Sequence, residues 1–217
     1  MMNKIDYKEI CYSLIDTFLF AGKKSIEMRN EGLKTEYKED NTPVTNGDIE
    51  VNKAGYVIHA AILESRLDIN CVLHHHTDAG IAVSSMEEGL LPMSQHALGF
   101  YGKISYHDYQ GVALDESEKE ILQSDLGKNY AMFLRNHGVV VCGKTIAGAF
   151  ASCDSLETAC RSQLLCQSID AKMIFPPEEI KKHTSSQFDD FGDKRAVELE
   201  WPAVLRWLEN KKIVFAE

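Results

Sequence analysis

Strand-length apolar runs that alternate with longer stretches of helical periodicity predict an α/β layer arrangement for this chain. Composition agrees. Of 217 residues, 44% are hydrophobic and 26% charged, the balance of a globular chain rather than a disordered one. At this length roughly 70% of the unfolded surface can be buried, so one core suffices without disulfides or a metal to hold it.

The elements come in order along the chain. A first helix is expected from about Tyr7 to Met28, with Ile10, Leu14, Ile15, Phe18 and Leu19 on one face. Asn41 to Asp48 is turn chemistry, and Asp48 can cap the next helix. That second helix carries Ala54, Val57, Ile58, Ala61 and Ile62 at helical spacing. The apolar run Ile69 to Leu73 has the length of a buried strand and ends directly in His74-His75-His76. Thr77 caps a helix through Ile81 and Val83. Two strands, YAMFL and VVVC, meet at the turn Arg135-Asn-His-Gly138. Thr145 caps a long helix that turns Ile146, Ala149, Cys153, Leu156 and Cys160 inward. Pro176-Pro177 ends that region, and a short helix comes next around Glu178 to Lys182. The tail closes on an amphipathic segment with Trp201, Leu205, Trp207 and Leu208.

Charge and cysteine usage narrow the function classes. Lys and Arg number 23 against 33 Asp and Glu, a net charge of −10 with no long basic run. A nucleic-acid groove and a polybasic membrane patch are therefore not expected. No stretch approaches the roughly 18 apolar residues of a membrane span, and no early apolar run has the form of a secretion signal. The six cysteines, Cys11, Cys71, Cys142, Cys153, Cys160 and Cys166, form no CxxC pair, and four sit in apolar patterns where a free thiol acts as a small hydrophobe. That usage suits a cytoplasmic location.

Histidine is less ordinary: of eight, seven fall between His59 and His137. His74 and His76 are two apart at the end of a strand, so their side chains leave the same face, roughly 6.6 Å apart at the backbone. Two imidazoles can converge from there on one ion, at about 2.0–2.1 Å for zinc. His75 faces the other way. His137 lies in a turn between strands, where Gly138 frees the backbone, and is placed to supply a third nitrogen. Three neutral histidines with an open position make a catalytic rather than a structural zinc site.

From Val51 to about Gln167 the chain resembles the class II aldolase/adducin family, in particular adducin head domains and the bacterial aldolases near them. The collinear features are the strand-borne HxH, the AVS helix, the Pro-x-x-Gln-His segment, the Tyr-His-Asp-Tyr-x-Gly loop and the Asn-His-Gly turn. The resemblance implies a three-layer α/β/α fold with a mainly antiparallel central sheet. It implies one zinc per subunit on His74, His76 and His137, a small-molecule substrate, and a homo-oligomer. In the family the metal holds the oxygens of a ketose phosphate and stabilises the enediolate left by carbon–carbon cleavage. The family's sugar-phosphate aldolases move the proton with a glutamate, and that position is Gly55 here. His96 falls where those aldolases carry a functional tyrosine, and Tyr106, His107, Asp108 and Tyr109 offer further proton carriers. His96 and Tyr109 are the catalytic candidates.

Residues 1–50 lack the family's usual opening loop and first strands. They resemble instead the start of the inositol monophosphatase family, on Lys38, Asp40, Pro43, Val44, Thr45 and Asp48, but without that family's later metal-binding carboxylates. The expected organisation is a non-catalytic fragment at 1–50 joined to an aldolase/adducin-like domain at 51–217, the product of a gene fusion that leaves the N-terminal part replaced or truncated. Two functional readings result. One is a zinc-dependent carbon–carbon lyase acting on a small hydroxy-carbonyl or sugar-phosphate substrate. The other is a non-catalytic adducin-like module for oligomerisation or for a cytoskeletal partner, or the remnant of a fused gene.

Overall fold

A computed structural model describes residues 35–37, 43–45, 53–111, 117–169 and 172–211. The chain divides into two compact units, residues 1–51 with 206–217, and residues 52–205. In the first, β1 (Thr35–Tyr37) pairs antiparallel with β2 (Pro43–Thr45), Glu36 opposite Val44. The stretch expected as pure turn thus contains a strand, with Pro43 at its first position, where a missing N–H is tolerated. The helix expected over Tyr7–Met28 and the cap at Asp48 lie outside the described residues.

The second unit runs α1 (Lys53–Ser65), β3 (Cys71–His75), α2 (Asp78–Ser84), α3 (Gln95–Gly99), β4 (Ile104–His107), α4 (Ser117–Leu126), β5 (Ala131–Leu134), β6 (Gly138–Gly143), α5 (Ile146–Gln167) and α6 (Glu178–Arg195). A π-helical turn, Ala196–Glu200, leads into α7 (Trp201–Asn210), whose residues to Leu205 belong here. The four strands stand in the order β3-β6-β5-β4. β6 is antiparallel to both neighbours and only β4–β5 is parallel, so the sheet is mainly antiparallel, as the resemblance implies.

Helices cover both faces, which explains why β5 and β6 are apolar at every position. On one face Val57, Ile58, Ala61 and Ile62 of α1 and Leu122 and Leu126 of α4 pack on Val72, Met132, Val140 and Cys142. On the other, Ala79 and Val83 of α2 and Leu156 and Cys160 of α5 pack on Phe133, Val139 and Val141. Two threonine caps read from the sequence are formed: Thr77 accepts from Gly80 N at 3.1 Å, and Thr145 accepts from Gly148 N at 3.0 Å. Among the described residues no helix is long and apolar enough to cross a membrane.

Three features differ from the sequence expectation. β3 begins two residues late because Ile69 N bonds to Arg66 O and closes a turn first, and only from Asn70 N, which bonds to Gly143 O, does the chain engage β6. α3, β4 and α4 were not expected. α4 buries Glu118, Leu122 and Leu126 but leaves Ile121 exposed, so its apolar stripe is too thin to read as a period. α6 extends to Arg195 rather than stopping near Lys182, although the sequence EEIKKHTSSQFDDFGDKR offers few apolar positions.

Candidate metal centre

The register of β3 on β6 sets His74 opposite Val140, and the turn from β5 into β6 brings His137 to the same end of the sheet. His76 Nε2 then stands 2.8 Å from His74 Nε2 and 2.9 Å from His137 Nε2. The three rings meet edge-on or tilted, with centroids 4.6 to 4.9 Å apart. Beyond His76 the chain is pinned, since Thr77 Oγ1 donates to Glu157 Oε2 at 2.6 Å. In the 135–138 turn the left-handed residue is Asn136, at φ 59°, a conformation asparagine tolerates better than most residues. Gly138 serves a different need from the backbone freedom expected of it. A Cβ there would lie 2.6 Å from His75 O and 2.9 Å from His76 Cδ2, so its small size lets the turn close on the histidine strand.

The donor set has the chemistry a divalent ion requires. His74 Nδ1–H donates to Val139 O at 3.0 Å, which fixes the tautomer and leaves the Nε2 lone pair facing its partners. Burial, with a smaller push from His76 and His137, lowers the His74 pKa to about 3. Burial also lowers that of His137, with His76 and His107 adding to it. Both are therefore neutral at physiological pH, the form that binds metal. A tetrahedral ion at about 2.0–2.1 Å holds its nitrogens roughly 3.3 Å apart, not far from the 2.8 and 2.9 Å that separate His76 Nε2 from the other two. The residues fit a three-histidine metal site.

His75 points away from this cluster, as its place in the alternation requires. It is 8% exposed, and neither ring nitrogen has a hydrogen-bond partner. Burial pushes its pKa down to about 4.

A small cleft opens beside His137, lined among others by Tyr109, Arg135, His107 and Glu118, with free room of about 10 Å³, that of a single water rather than the roughly 300–1,000 Å³ of ordinary small-molecule sites. Tyr109 is half exposed, with its ring 6.5 Å from that of His137 in an edge-on arrangement. His96 sits exposed on α3 and is not among the residues lining this cleft. Tyr106 is committed to structure: its hydroxyl accepts from Leu90 N at 3.0 Å, and its ring lies between Phe133 and the Arg135 guanidinium. Arg135 donates to the carbonyls of Met86 and Glu87. Gly55 faces open space on α1. Glu118 and Asp125 were missed from the sequence. Each contacts the buried His107, through opposite ring nitrogens. Their spacing of seven on α4 was the available signal, but α4 itself was not foreseen.

Comparison with known proteins bears on all of this. A family profile described as the Class II Aldolase and Adducin N-terminal domain matches residues 26–164. The match begins within the N-terminal segment expected to be foreign, and the comparisons give its inositol monophosphatase resemblance no support. A Pseudomonas aeruginosa protein bearing an aldolase class 2 name is 43% identical over 165 residues, covering 75% of this chain and 64% of that protein. Alpha-adducin of Rattus norvegicus is 37% identical over 175 residues, covering 75% of this chain but 24% of its own. The crystal structure of an aldolase II superfamily protein from Pseudomonas syringae superposes with a TM-score of 0.70 at 44% identity, over 74% of this chain and 64% of that one. The chain thus spans a little under two thirds of each of these two Pseudomonas proteins.

Proposed function

This chain belongs to the class II aldolase and adducin family, and on that footing we propose that it is a metal-dependent carbon–carbon lyase acting on a small hydroxy-carbonyl or sugar-phosphate substrate. The observation that carries the reading is the convergence of the ring nitrogens of His74, His76 and His137, with His137 also lining the small cleft beside them. Zinc is the ion we assign to them, because three neutral imidazoles suit it and leave a position for substrate. When bound, the metal supplies positive charge that polarises a carbonyl and stabilises negative charge on oxygen as the carbon–carbon bond breaks.

The chain's own residues do the rest. Val139 O holds the His74 ring in the tautomer that directs Nε2 outward. Gly138 keeps the turn close enough for His137 to reach the strand histidines. To Tyr109, half exposed with its ring 6.5 Å from that of His137, we assign proton exchange with the leaving fragment. His96 lies on another helix and is assigned to a site completed by a second copy in a homo-oligomer. Burial raises the thiols of Cys142 and Cys160 to about 12, which keeps them inert and agrees with the cytoplasmic location we propose.

A second reading, a non-catalytic adducin-like module, is favoured by one observation: Gly55 leaves open space where the resemblance expects an acid. Retro-aldol assay of zinc-loaded protein on phosphorylated ketoses decides between them. Cleavage that disappears in His74→Ala supports the lyase, and bound metal without turnover supports the module. The fusion reading of residues 1–50 is a separate proposal. An intact aldolase reading frame with its own start around the gene would overturn it.

A further inference from the structure

Resting on the lyase reading, we propose that Glu118 is the catalytic carboxylate that removes and returns the proton beside the substrate carbonyl, resupplied from solvent through His107 and Asp125. Among the described residues that line the cleft beside His137, Glu118 is the one carboxylate. Its side chain is 11% exposed and accepts from His107 Nε2 at 3.3 Å. The other face of the same ring, Nδ1, donates to Asp125 Oδ2 at 2.7 Å. The His107 side chain is 4% exposed, whereas that of Asp125 is 33% exposed. Solvent reaches Glu118 through Asp125 and His107, and both His107 and Glu118 border the cleft.

Setting a buried carboxylate and a partly exposed one against a single buried imidazole is costly unless the group does more than pack. A ring that meets a carboxylate through each nitrogen passes a proton from one side to the other without moving. Glu118 also lies in the first turn of α4. The facing helix α1 offers no competing group at Gly55. In the step assigned to Glu118 the carbon–hydrogen bond next to the carbonyl breaks, and its electron pair passes to the carbonyl oxygen. The proton moves to the Glu118 carboxylate. In the reverse direction the same carboxylate gives the proton back to carbon, and His107 and Asp125 exchange it with water.

The test uses full-length, zinc-loaded protein in D2O with hydroxyacetone and dihydroxyacetone phosphate as probes, with proton loss beside the carbonyl followed by NMR. Wild type is expected to exchange. Glu118→Gln should slow exchange by roughly 100-fold or more while zinc content stays at the wild-type level. Glu118→Ala should recover in proportion to added formate, a rescue that a purely structural role would not show. Glu118→Asp, the variant least disruptive to folding, should retain an intermediate rate and decides the matter if the others do not fold. Without metal, ¹⁵N NMR should show the His107 Nε2 signal displaced in Glu118→Ala, with the Nδ1 signal that faces Asp125 little changed. Wild-type exchange with Glu118→Gln within three-fold of it, or no formate rescue, overturns the proposal alone. Metal-loaded wild type that exchanges neither probe overturns the lyase reading and this proposal together.

Discussion

Replacing His75 by leucine should stabilise the protein, an unusual expectation for a residue flanked by two candidate ligands. The ring is 8% exposed and neither of its nitrogens has a partner. An unsatisfied buried polar group costs about 1–3 kcal/mol, and leucine is similar in size without that cost, so a gain of about 1–3 kcal/mol is expected near pH 8. The effect also depends on pH. Burial, followed by the charge of His76, lowers the His75 pKa to about 4, against about 6.5 in the unfolded chain. The unfolded state therefore takes up the proton first. Stability from this residue is full above about pH 6.5 and declines as pH falls toward 4, by ~2 kcal/mol between pH 8 and pH 5. Urea unfolding of metal-free wild type and His75→Leu at both pH values measures this. The variant should keep ~2 kcal/mol more of its pH 8 stability at pH 5 than wild type does. Equal declines in the two proteins, or a variant that is more than 1 kcal/mol weaker at pH 8, would show that the buried ring carries no such penalty.

Other substitutions probe the same architecture. Gly138→Ala should cost about 1–3 kcal/mol and at least ten-fold in metal affinity, because the new methyl meets His75 O at 2.6 Å and backbone cannot yield cheaply; calorimetric titration with zinc reads the affinity. Phe133→Ala empties a position with no solvent exposure between α2, α5 and the sheet. It should lower urea stability by about 3–5 kcal/mol, and a loss under 1 kcal/mol would contradict the packing described. Thr145→Ala removes the cap on Gly148 N and should cost about 1 kcal/mol, seen as a lower midpoint with unchanged slope.

Much of this was legible in the sequence, for reasons that differ by residue. The pairing of His74 with His76 comes from the two-residue period of a strand, and it holds because β3 continues through His75. The burial of Val57, Ile58, Ala61 and Ile62 comes from helical period. β5 and β6 were readable because strands covered on both faces are apolar throughout. The hidden parts were governed by long-range contact. α4 shows little pattern of its own, and Glu118 acquires a role only when β4 brings His107 against it. Gly138 was picked out for its flexibility, whereas its neighbour across β3 makes its size the constraint. The turn stretch around Pro43 became a strand because a partner at residues 35–37 was available to pair with it.

Everything proposed for the cleft depends on His74, His76 and His137 holding one divalent ion between them. Elemental analysis of zinc in the purified chain and in His74→Ala, His76→Ala, His137→Ala and His96→Ala puts this to the test. One ion per chain is expected in wild type and in His96→Ala, and less than a tenth of that in each of the other three, with circular dichroism showing all five folded. A folded wild type that binds no zinc, or triad variants that bind it as wild type does, would mean that the three histidines are not a metal site.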